Sequence, residues 1–161
     1  MLDVYSDPTQ QATFFGSEIE HLEIDELVVL RRMVSEKEVE AKIGQIHQEF
    51  EVLAECSKEE VRRAARTACA LDRLVRKKQL GSLAYYYEGA EGSEAQDIIT
   101  SVIVGNSLLT GSHIPVAGEC EIKNAQAMKV MDAFGAGGSF SEFYAMDFNE
   151  DVILMGHDGP G

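Results

Sequence analysis

Two segments of the chain begin with the same signal for the start of a helix. Ser35 is followed by Glu38, and Ser57 is followed by Glu60. At a helix start, such a serine accepts a hydrogen bond from the third helical N–H, and the glutamate accepts one from the serine's own N–H. Apolar residues then recur every three or four positions, in the first segment at Val39, Ile43, Ile46, Phe50 and Leu53. We therefore predict two long helices, each with one apolar side for packing.

Shorter predicted strands and helices lie before and after these two helices in the sequence. Strand-like runs cover residues 18–24, the aromatic stretch SLAYYYEG at 82–89 and the apolar stretch HIPVAG at 113–118. Further helices are predicted to begin after Asp7, Asp25 and Ser93, and another covers residues 121–134 before Gly135. Strands that alternate with helices predict a layered α/β/α unit with a mainly parallel sheet.

The pattern changes after Gly138. The segments SFSEFYAMDF and DVILMGH are two strand-like runs, separated by Asn149 and Glu150. A connection of two residues is typical of an antiparallel hairpin. We therefore expect an α/β domain over residues 1–135 and, over residues 136–161, the first hairpin of a truncated second domain that is rich in β-structure.

Charge and composition narrow the range of partners. Hydrophobic residues make up 45% of the 161 residues and charged residues 26%, as in ordinary globular proteins. The net charge of −14 repels phosphate backbones, so we expect no nucleic-acid partner.

The cysteines and the N-terminus favour a cytoplasmic protein. Cys56, Cys69 and Cys120 form no Cys-x-x-Cys pair, which favours reduced thiols over a disulfide framework or a zinc cluster. The first residues, MLDVYSDP, have no basic region and no long apolar stretch, so we expect no signal peptide. The most apolar window, residues 98–109, is too short and too polar to span a membrane.

The hairpin register suggests a first pair of functional residues. With a loop of two residues, Phe148 lies opposite Asp151, and Glu142 lies opposite His157 on the same face. Directly paired residues have Cβ atoms about 4.5–5.5 Å apart, so this carboxylate and imidazole could share one divalent cation. The alternative is a solvated glutamate and an ordinary surface histidine.

Further carboxylates follow the predicted parallel strands. Glu119 comes just after the strand at 113–118, and ligands of α/β sheets bind at the carboxyl ends of strands. Glu121 is interpreted as an acidic residue in the first turn of a helix. Glu88 ends the aromatic strand and could border the same cleft, whereas the loop residue His113 could be structural or functional. Glu119, Glu142 and His157 together would form an oxygen-and-nitrogen site suited to Mn²⁺, Mg²⁺ or Co²⁺.

The stretch from Ala117 to the end of the chain resembles the L-arabinose isomerase and L-fucose isomerase superfamily, in particular the arabinose-isomerase-like proteins. In arabinose isomerases, an Ala-Gly-Glu segment before a helix supplies a metal-binding glutamate, which corresponds to Glu119. A Gly-Gly-x-Ser-Phe-x-Glu strand supplies a second, which corresponds to Glu142, and the histidine that ends the next strand corresponds to His157. Asp147 stands where these enzymes commonly have histidine.

The resemblance implies a metal-dependent aldose–ketose isomerase that acts on a sugar through an enediolate. Glu119 and Glu142 would be both catalytic residues and metal ligands, and His157 a ligand of the metal, most often Mn²⁺. Glu88, His113 and Asp147 are candidates for contacting the substrate. The full-length parent would have three domains and form a homo-oligomer, and this chain alone would be inactive. Two alternatives remain open: a non-catalytic sugar-binding or regulatory module, and a metal-dependent hydrolase.

Overall fold

The computed structural model describes residues 6–86 and 90–157. In this part of the chain the helices are α1 (Pro8–Phe15), α2 (Ile24–Arg32), α3 (Glu36–Glu49), α4 (Lys58–Lys78), α5 (Glu94–Ile99), α6 (Ile103–Gly111) and α7 (Ile122–Ala133). The strands are β1 (Leu83–Ala84), β2 (Val116–Ala117), β3 (Glu142–Asp147) and β4 (Val152–Gly156). The predicted combination of helices, a parallel sheet and a late antiparallel hairpin is confirmed.

The predicted helix starts are also confirmed where a side chain caps the helix. The Ser35 hydroxyl accepts a hydrogen bond from the Glu38 N–H, and the Glu38 carboxylate accepts one from the Ser35 N–H at 2.9 Å. Ser57 caps α4 by accepting a bond of 3.2 Å from the Glu60 N–H. Asp7 caps α1 in the same way, with Pro8 at the first helical position.

Helix α4 is the centre of the larger core and packs against α2, α3 and α6. Ala68 and Leu71 of α4 lie against Gly105 of α6 where the two helices meet. A Cβ added to Gly105 would lie 2.6 Å from Cδ1 of Leu71 and 3.1 Å from Cα of Ala68. Absence of a side chain at Gly105 is therefore what permits these two helices to approach so closely.

The parallel sheet joins β1 to β2, with Leu83 paired to Val116 and Ala84 to Ala117. The Tyr85 N–H extends the pairing by donating to the Ala117 carbonyl, at 3.1 Å. In the described residues this sheet has two strands, fewer than the alternating pattern suggested. Helix α7 packs against both strands and leads from the end of β2 towards the hairpin.

The prediction of a strand at residues 18–24 is wrong. Ile24 begins α2, and Glu23 before it is extended, with φ −82° and ψ 144°. Leu22 and Ile24 pack against the helical core, and Glu20 forms an ion pair with Lys78 of α4. A segment that packs one side on helices alternates apolar and polar residues as a strand does, although no neighbouring strand pairs with it.

Two helix boundaries also differ from the sequence prediction. Helix α3 ends at Glu49, because Phe50 is extended with φ −130°, so the apolar pattern continues beyond the helix. The helix predicted after Ser93 is divided into α5 and α6. At the break, the Ser101 hydroxyl lies 2.7 Å from that of Thr67 on α4, an interaction distant in sequence.

Strands β3 and β4 form an antiparallel hairpin with apolar side chains exposed on its surface. The most exposed are Phe143, Phe148, Val152, Ile153 and Leu154. Large exposed apolar patches are characteristic of interaction sites. None of the helices in the described ranges is long and apolar enough to cross a membrane.

Candidate functional site

The predicted contact between Glu142 and His157 is present. Oε2 of Glu142 lies 3.1 Å from Nδ1 of His157. An ionised carboxylate only accepts hydrogen bonds, so Nδ1 carries the hydrogen in this contact. In a neutral imidazole, Nε2 then presents its lone pair, which is the form that binds metal ions.

The hairpin that carries the two side chains contains a bulge. From Asp147 opposite Val152 to Ala145 opposite Leu154, the pairing has the predicted register. The register then shifts by one residue between Phe143 and Ala145, and Glu142 pairs with Gly156. The predicted direct pairing of Glu142 with His157 is therefore wrong by one residue, because a bulge changes the direction of the side chains that follow it.

The imidazole of His157 is enclosed, with 4% of its side chain exposed. Its ring meets that of Phe140 edge-on, with centroids 4.6 Å apart and planes at 79°. Nε2 is buried and has no hydrogen-bond partner in the described part of the protein. A buried polar nitrogen without a partner is costly, and a ligand bound at Nε2 would remove that cost.

Nε2 of His157 lies against the backbone that follows β2. A Cβ added to Gly118 would be 3.4 Å from Nε2 and 3.1 Å from Cε1 of Phe140. Glu119 is the next residue in the chain, so the structure brings the backbone that carries Glu119 beside the ring of His157.

The backbone at Glu119 has an uncommon conformation. Glu119 and Cys120 both have φ of 56°, in the left-handed region that side chains disfavour. Two backbone hydrogen bonds stabilise this turn. The Cys120 N–H donates to the Tyr85 carbonyl at 2.8 Å, and the Glu121 N–H donates to the Gly118 carbonyl at 2.9 Å. Non-glycine residues in this region cost about 1–3 kcal/mol each and concentrate at functional sites.

The three proposed ligands are not gathered into one cluster. Within residues 6–86 and 90–157, no three His, Cys, Asp or Glu side chains converge closely enough to hold a metal ion. Glu142 and His157 are in contact, and Glu119 is placed beside them through the Gly118 backbone. The donor set, two carboxylates and an imidazole, suits a divalent cation such as Mn²⁺.

Other candidates lie farther from this pair. His113 precedes β2, at the end of the strand opposite to Glu119, and its Nδ1 lies 2.6 Å from Oδ1 of Asp132. Asp147 is at the other end of the hairpin, where its carboxylate accepts a bond of 2.8 Å from the Asn149 N–H in the turn. Glu88 lies outside the described residues.

The neighbours of Glu119 have separate surroundings. Glu121 stands at the N-cap of α7 without a capping side-chain bond, and its carboxylate lies 3.4 Å from the Ser6 hydroxyl. Burial raises the pKa of the Cys120 thiol above its ordinary value, so the reactive thiolate is disfavoured.

Sequence reasoning missed Gly118 and Phe140, which enclose His157. Gly118 follows a buried strand directly, and a glycine in such a place signals close approach of another group. Phe140 precedes the hairpin by two residues, and nothing in its local pattern shows that it packs towards α7 rather than within the hairpin.

Comparison with known proteins gives one family. The family model of the L-arabinose isomerase central domain matches residues 5–137. A search among curated proteins gave no match. Because the matched range covers most of the 161 residues, the chain belongs to the L-arabinose isomerase central domain family.

Proposed function

We propose that this chain is part of a metal-dependent aldose–ketose isomerase. Its residues 1–135 would be the middle domain, and the hairpin in residues 136–161 would begin a third, β-rich domain. The observation that carries the proposal is the nitrogen Nε2 of His157, which is buried, lies against the backbone beside Glu119 and has no hydrogen-bond partner among the described residues. Membership of the arabinose isomerase family supports the reaction class.

Glu119, Glu142 and His157 would hold the cation, most often Mn²⁺, with Mg²⁺ or Co²⁺ as alternatives. The bound cation would supply positive charge that stabilises the negative charge developing on O1 and O2 of the open-chain sugar. The bond from Nδ1 of His157 to Glu142 fixes which nitrogen has the lone pair. The burial of the imidazole excludes water from that nitrogen.

The two carboxylates would move the protons. Conversion of an aldose to its ketose through an enediolate removes one proton from C2, adds one to C1, and transfers one from O2 to O1. Glu119 and Glu142 would act as base and acid across the C1–C2 bond. Glu142 keeps 41% of its side chain exposed, so a substrate can reach it while it contacts His157.

The exposed hairpin fits the proposed domain arrangement. A two-stranded hairpin has little stability in isolation, and this one exposes most of its apolar residues. Further strands of a β-rich domain would cover them. In such a parent we expect a sugar substrate, a homo-oligomer and a cytoplasmic location.

Calorimetric titration of the 161-residue chain with Mn²⁺ tests the metal site. We expect weak binding, because two carboxylates and one imidazole leave coordination positions open. His157→Ala should weaken the binding strongly, whereas Glu121→Gln, which removes a charge two residues from Glu119, should preserve it. Equal binding by His157→Ala and the wild type would contradict the site.

A ketose-formation assay with Mn²⁺ completes the test. Little or no conversion is expected from this chain alone. Rapid conversion would show that the active site is completed within these residues and in a different way. Sugar binding that is independent of Mn²⁺ would favour the non-catalytic module, and metal-dependent hydrolysis without ketose would favour the hydrolase.

A further inference from the structure

Phe140 connects the hairpin to the α/β domain. Its side chain is 4% exposed and packs in a small core cluster with Ala117 of β2 and with Ala125 and Met128 of α7. The hairpin that begins two residues later is largely exposed. Phe140 therefore attaches the start of the hairpin to the α/β domain by packing its buried side chain against β2 and α7.

The same ring contacts the imidazole of His157. The two ring centroids are 4.6 Å apart in an edge-on arrangement, a favourable geometry for aromatic pairs. Both rings also border Gly118, where an added Cβ would meet Cε1 of Phe140 at 3.1 Å and Nε2 of His157 at 3.4 Å. Three groups from separate parts of the chain thus meet at one point.

These contacts restrain the imidazole in complementary ways. The bond to Glu142 holds Nδ1, but one hydrogen bond leaves the ring able to pivot about it. Two further contacts limit that rotation: the Phe140 ring packs against the imidazole, and the Gly118 backbone lies close to Nε2. The direction of Nε2 is then set by packing as well as by hydrogen bonding.

We infer that Phe140 is a positioning residue that holds His157 with Nε2 directed at the Gly118–Glu119 backbone; as a statement about metal binding, this rests on the proposed function. Phe140 does not touch the cation or the sugar. It acts through His157. Because Phe140 packs against Ala125 and Met128 of α7, the orientation of the His157 ring depends on the packing of that helix.

A purely structural role would make different predictions. If Phe140 only fills space, other losses of volume in the same cluster should have the same consequences as a change at Phe140. Met128→Ala removes volume from that cluster on the α7 side and is the matched control. Phe143→Leu is the second control, because that ring is 62% exposed on the hairpin.

The first measurement uses the metal-free protein. Carbon-13 relaxation of the His157 imidazole should give an order parameter near that of rigid backbone, about 0.85. Phe140→Leu should lower it below about 0.6, whereas Met128→Ala should lower the melting temperature without loosening the ring. Phe143→Leu should change neither. If Phe140→Leu fails to fold, Phe140→Met carries the same expectation.

The second measurement is a double-mutant cycle on Mn²⁺ affinity. Phe140→Leu should weaken binding roughly tenfold, the lower end of the range for residues that orient metal ligands. In a His157→Ala background it should have no further effect on Mn²⁺, although it still lowers the melting temperature. An unchanged ring order in Phe140→Leu, or an equal loss in Met128→Ala, would overturn the positioning role. A rigid ring in a wild type that binds no Mn²⁺ would refute the metal site and leave the positioning role standing.

Discussion

Gly118→Ala tests the close packing around His157 most simply. The new methyl would lie 3.1 Å from Cε1 of Phe140, so that ring must shift by a few tenths of an ångström, and 3.4 Å from Nε2 of His157, which is van der Waals contact. The Phe140 ring is 4% exposed and belongs to a packed cluster, which leaves little room for that shift. Overpacking of this kind costs about 1–3 kcal/mol.

An opposing effect reduces the net change. Alanine restricts the unfolded chain more than glycine does, which stabilises the folded state by about 0.4–1 kcal/mol where the backbone is compatible. The net destabilisation should be about 1–2 kcal/mol. For a chain of this length, the melting temperature should therefore fall by roughly 2–8 °C.

Thermal unfolding followed by circular dichroism measures this shift. Gly44→Ala is the control, because an added Cβ in α3 would meet nothing within 4 Å and alanine favours helix. Gly44→Ala should raise the melting temperature. A rise of similar size for Gly118→Ala would refute the close packing of the β2 turn against Phe140 and His157.

Three further predictions concern the α/β domain. Gly105→Ala should destabilise the protein by about 1–3 kcal/mol in urea unfolding, because its Cβ would lie 2.6 Å from Leu71; stabilisation would contradict the α4–α6 packing. Ser35→Ala should cost about 1 kcal/mol by removing the cap of α3, and an unchanged midpoint would argue against the cap. Hydrogen bonds from Ser35 and then from Arg73 lower the pKa of Glu38 from 4.5 to about 2. Because the pKa of Glu38 is lower in the folded state than in the unfolded state, this stabilisation is present above pH 4.5 and is lost as the pH falls towards 2. Glu38→Gln should therefore make the melting temperature less dependent on pH between these values.

The parts of the fold that could be predicted from sequence are those with local causes. The side chains of Asp7, Ser35 and Ser57 each accept a hydrogen bond from an N–H no more than three residues later in the chain. These helix caps therefore depend only on residues that are close in sequence. The hairpin turn has a similar origin, since the carboxylate of Asp147 accepts from the N–H groups of Asn149 and of the residue after it.

The errors have non-local causes. Residues 18–24 alternate like a strand because one side packs on helices, a fact that depends on Lys78 and the α4 surface. The break between α5 and α6 involves a hydrogen bond between the hydroxyls of Ser101 and Thr67, which no local pattern contains. At the candidate site, the sequence predicts the contact between Glu142 and His157, but not the bulge that pairs Glu142 with Gly156.

Direct measurement of isomerisation is the strongest test of the central claim. In the proposed full-length parent with Mn²⁺, Glu119→Gln and Glu142→Gln should each lower kcat by a factor on the order of 10²–10⁴, the scale for losing a general acid or base. The neighbouring Glu121→Gln, whose carboxylate contacts Ser6 instead, should keep nearly all activity. The melting temperature without metal should hardly change in the first two variants. Full activity in both Glu119→Gln and Glu142→Gln would contradict the assignment of these glutamates, and with it the account of this site.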